Sequence, residues 1–184
     1  MGVNNIKDNF SKIILITGGT KSGKSEFAEY LGKKIPHITY IALSEIRPND
    51  DNWQKKILVH RERRPPEWGL IESNDLIGIL NKHFGPLLVD SIGGFIMESL
   101  NNEDKEWAEK INKLLDILKN RQSTTLLVGE QVGWGLVSEY KIGNKYIERL
   151  GELQKKISDI ANENWITING RAIQLDDISL KIPT

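Results

Sequence analysis

The part of the chain that most constrains its fold is a short apolar run that leads through a glycine-rich loop into a helical pattern. Residues 13–17 (Ile-Ile-Leu-Ile-Thr) are continuous and rich in β-branched side chains, which predicts a strand buried on both faces of a parallel sheet. The loop 18–25 follows directly, and residues 26–34 show a helical apolar side before Pro36 ends the pattern. This order predicts an α/β fold with the loop at the carboxyl edge of the sheet.

Strand and helix patterns alternate along the rest of the chain. Further strands are predicted at 38–43, 70–72, 87–90, 124–128 and 165–168, the last pairing in a hairpin with 170–175. Helices are predicted at 53–63, 76–81, 95–100, 107–120 and 142–161. This alternation predicts a mostly parallel sheet with helices on both faces. We find no internal repeat or linker, so we expect a polar extension at 1–12 followed by one domain at 13–184.

The loop fits G-x-x-x-x-G-K-[ST], the phosphate-binding pattern of P-loop nucleotide-binding proteins. Its glycines let backbone N–H groups approach phosphate oxygens, and the following helix directs its N-terminal dipole at the same anion. Lys24 would contact the β- and γ-phosphates, and Ser25 would offer a hydroxyl to Mg²⁺. A chance match has a probability of about one in a hundred at average residue usage, and the strand and helix around this one favour function. The candidate nucleotide-binding residues are therefore Gly18, Gly19, Thr20, Lys21, Ser22, Gly23, Lys24 and Ser25.

Asp90 ends the predicted strand 87–90. A carboxylate in this place suits a group of the second shell of Mg²⁺ or a catalytic base. The alternative is a solvated strand end or a helix cap. Because ligands of open α/β sheets bind at the carboxyl edge, we expect Asp90 and the loop to meet there.

Composition excludes several functional classes. The 184 residues include 25 basic and 25 acidic side chains, and this zero net charge argues against a general nucleic-acid binder. The chain has no cysteine, which excludes disulfides, thiolate zinc sites and a cysteine nucleophile. No apolar run reaches the roughly eighteen residues that cross a bilayer. We therefore expect a cytoplasmic protein with neither a membrane span nor a nucleic-acid partner.

A second unusual feature is His60, which lies in a basic segment with Arg61, Arg63 and Arg64. A neutral imidazole can attack an α-phosphorus and form a covalent phosphoramidate. Nearby arginines would hold the triphosphate and disfavour the imidazolium, which keeps the nucleophile neutral. The alternative is a solvated basic helix end without a special role. The residues alone leave both interpretations open.

Taken together, the loop and the histidine segment resemble the bifunctional adenosylcobinamide kinases and adenosylcobinamide-phosphate guanylyltransferases of cobalamin biosynthesis. The resemblance covers nearly the whole chain after residue 12, including 14–25, 40–44, 88–90 and 130–137. Its most specific part is Lys56-Ile57-x-x-His60-Arg61-x-x-Arg64-Pro65-x-x-Trp68-x-x-x-Glu72.

This resemblance implies a RecA-like P-loop fold, a homotrimer and two reactions on a corrinoid substrate. The first phosphorylates the hydroxyl of adenosylcobinamide with ATP or GTP, with Mg²⁺ as cofactor. The second transfers GMP from GTP through a covalent histidine, whose position is that of His60. Lys24 and Asp90 are the other candidate catalytic residues. Further nucleotide contacts that the resemblance implies are Ala42, Leu43, Ser44, Arg64, Pro65, Pro66, Glu67, Glu72 and Asp90.

The chain departs from the family pattern in places that bear on the acceptor. Where the family commonly has valine-threonine-asparagine-glutamate-valine-glycine, residues 128–133 are Val-Gly-Glu-Gln-Val-Gly. The asparagine-rich stretch after Asp90 is replaced at 91–100, and the segment after Val137 lacks the family's usual proline-glutamate-asparagine. Two alternatives therefore stay open. One is a P-loop kinase or nucleotidyltransferase with another acceptor, and the other is a nucleotide-binding regulatory module without catalysis.

Overall fold

A seven-stranded sheet forms the centre of the described part of the protein. The computed structural model describes residues 11–43, 64–135 and 138–182. The strands are β1 (Ile13–Gly18), β2 (Thr39–Ala42), β3 (Gly69–Glu72), β4 (Leu87–Asp90), β5 (Thr125–Glu130), β6 (Glu163–Ile168) and β7 (Arg171–Gln174). Their order in the sheet is β3-β2-β4-β5-β1-β6-β7. Every neighbouring pair is parallel except β6 and β7, which form an antiparallel hairpin.

Helices cover both faces of this sheet. Within the described ranges they are α1 (Lys24–Gly32), α2 (Leu76–Lys82), α3 (Gly93–Glu98), α4 (Asp104–Asn120), α5 (Lys141–Ile160) and the short α6 (Leu175–Ile178). On one face Ile14 and Ile16 of β1 belong to a buried cluster with Ala28 of α1. On the other face Leu15 belongs to a larger buried cluster with Leu114 of α4. Side chains of successive strand residues point to opposite faces, so burial on both sides explains the continuous apolar run.

The apolar pattern of helix α4 predicts its buried face correctly but misses the residue at which the helix begins. Its buried face consists of Trp107, Ile111, Leu114, Leu115 and Leu118. Each such side chain contributes roughly 1.5–3 kcal/mol when it is fully buried. The predicted helix 107–120 nevertheless begins earlier, at Asp104, because Glu103 and Glu106 form a reciprocal capping box before the first apolar residue.

The α/β class and the mostly parallel sheet with helices on both faces are confirmed, with shifts at element ends. The helix predicted at 26–34 runs from Lys24 to Gly32, because the left-handed backbone of Gly23 ends the loop two residues earlier than predicted. The strand predicted at 165–168 begins at Glu163, beside β1. Residues 1–10 of the predicted extension and the helix predicted at 53–63 lie outside the described residues. No helix in the described part of the chain is long and apolar enough to cross a membrane.

Strand register fixes which residues meet at the carboxyl edge of the sheet. Gly18 at the end of β1 is in register with Glu130 at the end of β5. On the other side of β5, Asp90 at the end of β4 is in register with Val128. The start of the glycine-rich loop, Asp90 and Glu130 therefore end three neighbouring strands at one edge.

Candidate nucleotide site

The glycine-rich loop joins β1 to α1 at this edge. Gly23 has φ 96° and Lys21 has φ 56°, so the backbone takes left-handed turns at both residues. Glycine adopts this conformation without a steric penalty, which accounts for Gly23. Gly23 occupies the N-cap position of α1 and provides no side-chain cap. The loop therefore presents the start of a helix, where backbone N–H groups can receive an anion.

The hairpin of β6 and β7 supports the loop from behind. Ser22 Oγ and Thr167 Oγ1 lie 2.8 Å apart, and Gly170 N–H donates to the Ser22 carbonyl at 2.9 Å. Gly18 packs so closely here that an added Cβ would clash with the Thr167 and Ser22 side chains. The Ser22 side chain is buried, so only the backbone of this predicted contact residue can face a ligand. Sequence reasoning missed Thr167, whose only signal was its place in the last parallel strand.

Lys24 crosses the loop. Its Nζ donates to the Gly19 carbonyl at 3.3 Å, and its side chain is half-buried. A phosphate oxyanion is a stronger partner for an ammonium group than a neutral carbonyl, because the two opposite charges attract each other in addition to the hydrogen bond. Lys24 is therefore placed to exchange Gly19 for a bound phosphate. Ser25 is half-buried in the first turn of α1.

Asp90 is held from the β2 side by Tyr40. The Tyr40 hydroxyl donates to Asp90 Oδ2 at 3.0 Å, and Arg64 Cζ lies 4.1 Å from the centre of the Tyr40 ring. Burial, and then the charge of Asp90, raise the pKa of the Tyr40 hydroxyl far above its usual range. Tyr40 therefore keeps its proton and acts as a fixed donor that orients the Asp90 carboxylate.

Ser91 and Glu130 form a second polar pair beside Asp90. Ser91 Oγ donates a hydrogen bond to Glu130 Oε1, and the peptide bond between Asp90 and Ser91 is cis. Burial raises the pKa of Glu130, the charge of Asp90 adds to the rise, and the Ser91 hydrogen bond and Lys24 oppose it. In the sequence Glu130 lay in a stretch of the family resemblance that departs from the usual pattern, and the strand predicted at 124–128 stopped short of it, whereas β5 extends to Glu130.

The predicted contact residues divide into groups by location. Ala42 and Glu72 are paired at the ends of β2 and β3, and Leu43 follows Ala42 as a buried residue. The Pro65, Pro66 and Glu67 segment precedes β3, at the opposite end of that strand from Glu72. Arg64 reaches Tyr40 from this segment. The structure thus gathers the loop, Ala42, Glu72 and Asp90 at the carboxyl edge, and the 65–67 segment lies away from it.

Two predicted residues fall outside the described part of the chain. They are Ser44 and the candidate nucleophile His60, and the neighbouring Arg61 and Arg63 lie outside it as well. Within residues 11–43, 64–135 and 138–182, histidine and carboxylate side chains form no metal-binding group of three or more.

The sequence of the chain matches a family of known proteins. The family model described as cobinamide kinase / cobinamide phosphate guanyltransferase matches residues 14–175. The bifunctional adenosylcobalamin biosynthesis protein CobU of Salmonella typhimurium is 26% identical over 181 residues, which is 89% of this chain and 99% of that protein.

Two solved structures share the fold. One is a Pyrococcus horikoshii OT3 protein with TM-score 0.53 and 10% identity, over 94% of this chain and 92% of that one. The other is a prototypical type III secretion ATPase from pathogenic bacteria with TM-score 0.52 and 11% identity, over 84% of this chain and 50% of that one. At such identities the likeness concerns the fold alone, which is that of RecA-like P-loop NTPases. On the family match, the chain belongs to the cobinamide kinase / cobinamide phosphate guanyltransferase family.

Proposed function

We propose that this chain phosphorylates the hydroxyl of adenosylcobinamide with ATP or GTP and then transfers GMP from GTP to the product through His60. The observation that carries the first half is the loop 18–25 at the carboxyl edge, with Lys24 and Asp90 beside it. The second half rests on His60, which stands at the position of the family's nucleophile. Family membership supplies the acceptor, a corrinoid.

In the kinase step the loop positions the triphosphate and the acceptor hydroxyl attacks the γ-phosphorus. The nucleoside diphosphate leaves, and the hydroxyl proton passes to the candidate base Asp90 or to water. Backbone N–H groups of the loop and Lys24 hold the β- and γ-phosphates. Ser25 in the first turn of α1 has the hydroxyl oxygen that a hard cation such as Mg²⁺ accepts, and Asp90 lies on a neighbouring strand end. A bound Mg²⁺ would neutralise charge on the phosphates. The donor set therefore fits this cofactor, with Ser25 as its ligand.

In the guanylyl step an imidazole nitrogen of His60 attacks the α-phosphorus of GTP, and pyrophosphate leaves. A phosphate oxygen of adenosylcobinamide phosphate then displaces the histidine and gives adenosylcobinamide-GDP. Arg64 would contact the nucleotide, and its guanidinium already stacks on Tyr40 beside Asp90. The other proposed nucleotide contacts are Ala42, Leu43, Ser44, Pro65, Pro66, Glu67 and Glu72.

Labelled GTP tests this assignment against its alternatives. Incubation with α-labelled GTP is expected to leave a protein-bound label that is acid-labile and base-stable, as a phosphoramidate on histidine requires. Added adenosylcobinamide phosphate should then remove the label. Nucleotide binding without any label would favour the regulatory module. A label that only a different acceptor discharges would favour another nucleotidyltransferase.

We also propose that the protein is a homotrimer and acts in the cytoplasm, where both triphosphates are available. Large exposed side chains around the start of α5 support an interface, since Trp134, Tyr140 and Ile142 are 67%, 73% and 56% exposed. Light scattering at micromolar concentration is expected to give three times the chain mass of 20.9 kDa. A clean monomer would contradict the trimer.

A further inference from the structure

The Ser91–Glu130 pair is built into the carboxyl edge from several sides. Glu130 ends β5, and its backbone carbonyl accepts a hydrogen bond from Gln154 Nε2 of α5 at 2.8 Å. Its side chain lies against Gly93, where an added Cβ would be 2.9 Å from Glu130 Oε2. Any other residue at position 93 would press on this carboxyl group. The position of Glu130, and with it that of Ser91, is therefore closely fixed.

The hydrogen bond between these two side chains limits what Ser91 can offer a ligand. A serine hydroxyl has one proton and two acceptor lone pairs. The Ser91 proton is donated to Glu130 Oε1, so the remaining capacity of the half-buried Ser91 is to accept. An alcohol can donate to such an oxygen. An ionised phosphate offers only acceptors and cannot.

The charges around the Ser91–Glu130 pair also disfavour an ionised phosphate. Asp90 precedes Ser91. Burial raises the pKa of the Glu130 carboxyl and the charge of Asp90 adds to this rise, so the two carboxyls interact electrostatically. The opposite charge that faces Glu130 comes from Lys24, which the proposed function assigns to the nucleotide. Tyr146 of α5 also faces Glu130, and burial and this carboxyl raise the pKa of its hydroxyl, so it stays neutral. The phosphate group of a phosphorylated corrinoid at this place would therefore lie beside two carboxyl groups, which disfavour its negative charge.

We propose that Ser91 and Glu130 form the end of the acceptor site that recognises an alcohol: Ser91 accepts a hydrogen bond from the substrate hydroxyl, and Glu130 positions Ser91 by taking its proton. This assignment rests on the proposed kinase function and deepens it. The pair favours the unphosphorylated corrinoid and disfavours the phosphorylated product at the same place. It thus gives the kinase step a means of releasing its product for the guanylyl step.

The test measures acceptor kinetics in Ser91→Ala, Glu130→Gln and the double variant. ATP is the only nucleotide, or GTP is used in a His60→Ala background, so that GMP transfer cannot follow. Each single variant is expected to raise the KM for adenosylcobinamide by roughly tenfold, with the KM for the nucleotide unchanged. The inhibition constant of adenosylcobinamide phosphate, divided by the KM for adenosylcobinamide, should become smaller than in the wild type. The double variant should be no worse than either single one, because the two residues act as a unit.

Controls keep this result interpretable. Glu163→Gln removes a carboxylate that pairs with Lys12 at the amino end of β6, and it should leave all constants unchanged. Thermal unfolding reports whether each variant is folded, and labelling by GTP is a second check for the variants that keep His60. If Glu130→Gln does not fold, the kinetics of Ser91→Ala alone test the assignment. Additive effects, or an unchanged corrinoid KM and product inhibition in folded variants, would overturn the assignment. A wild-type protein that phosphorylates nothing would instead contradict the proposed function, and this assignment with it.

Discussion

Replacing Lys24 with alanine is expected to lower the kinase kcat/KM by at least about a hundredfold while the protein stays folded. In the structure the Lys24 ammonium donates a hydrogen bond to the Gly19 carbonyl at 3.3 Å. Loss of that contact has little effect on the core, because the side chain is only half-buried. Its charge-assisted contact with phosphate contributes about 1.5–3 kcal/mol to binding, and more in the transition state, where charge on the transferred group must be stabilised.

Steady-state phosphorylation of adenosylcobinamide and a thermal unfolding curve check this expectation. Lys33→Ala is a matched control, since Lys33 is an exposed lysine at the other end of α1. The control should keep wild-type activity, and both variants should unfold near the wild-type temperature. Full kinase activity in Lys24→Ala would mean that the loop 18–25 is not the kinase site.

The strand–loop–helix unit could be predicted from the sequence because its signals are local. The apolar run, the glycines of the loop and the helical pattern occupy one continuous stretch, and the structure places them as β1, the loop and α1. Asp90 could be placed at the same edge because strands that alternate with helices are parallel and end together. Family-specific residues added the acceptor and the second reaction.

Other parts of the site arise from contacts between distant residues, and no local pattern reports them. Thr167 meets Ser22 across 145 positions, and Ser91 meets Glu130 across 39. The buried side chain of Ser22 is a consequence of the first contact. The loop motif alone does not distinguish the residues that face the ligand with their side chains from those, such as Ser22, whose side chains are buried. The contact between Ser91 and Glu130 shows that a position where the sequence departs from the family pattern belongs to a hydrogen-bonded pair.

Element ends were missed for a related reason. The apolar pattern marks the residues that a helix buries, whereas backbone turns and caps set where the helix begins. Gly23 and the Glu103–Glu106 capping box therefore moved the starts of α1 and α4 ahead of their first apolar residues.

The second large effect is expected at His60. His60→Ala should abolish guanylyl transfer, because alanine has no nitrogen that could form the phosphoramidate and the chain has no cysteine that could replace it as a nucleophile. The same substitution should largely spare the kinase. Direct phosphoryl transfer to a hydroxyl needs the loop, the metal and a positioned acceptor, and it needs no covalent histidine.

Two assays on one purified His60→Ala protein test most directly the claim that this chain carries two separable activities. One follows phosphorylation of adenosylcobinamide, and the other follows conversion of adenosylcobinamide phosphate with GTP. The expected result is near wild-type phosphorylation with no detectable guanylyl transfer. Loss of both activities would contradict their separation and assign His60 to a shared nucleotide site. Retention of both would remove His60 from the chemistry and leave a P-loop kinase without the histidine mechanism.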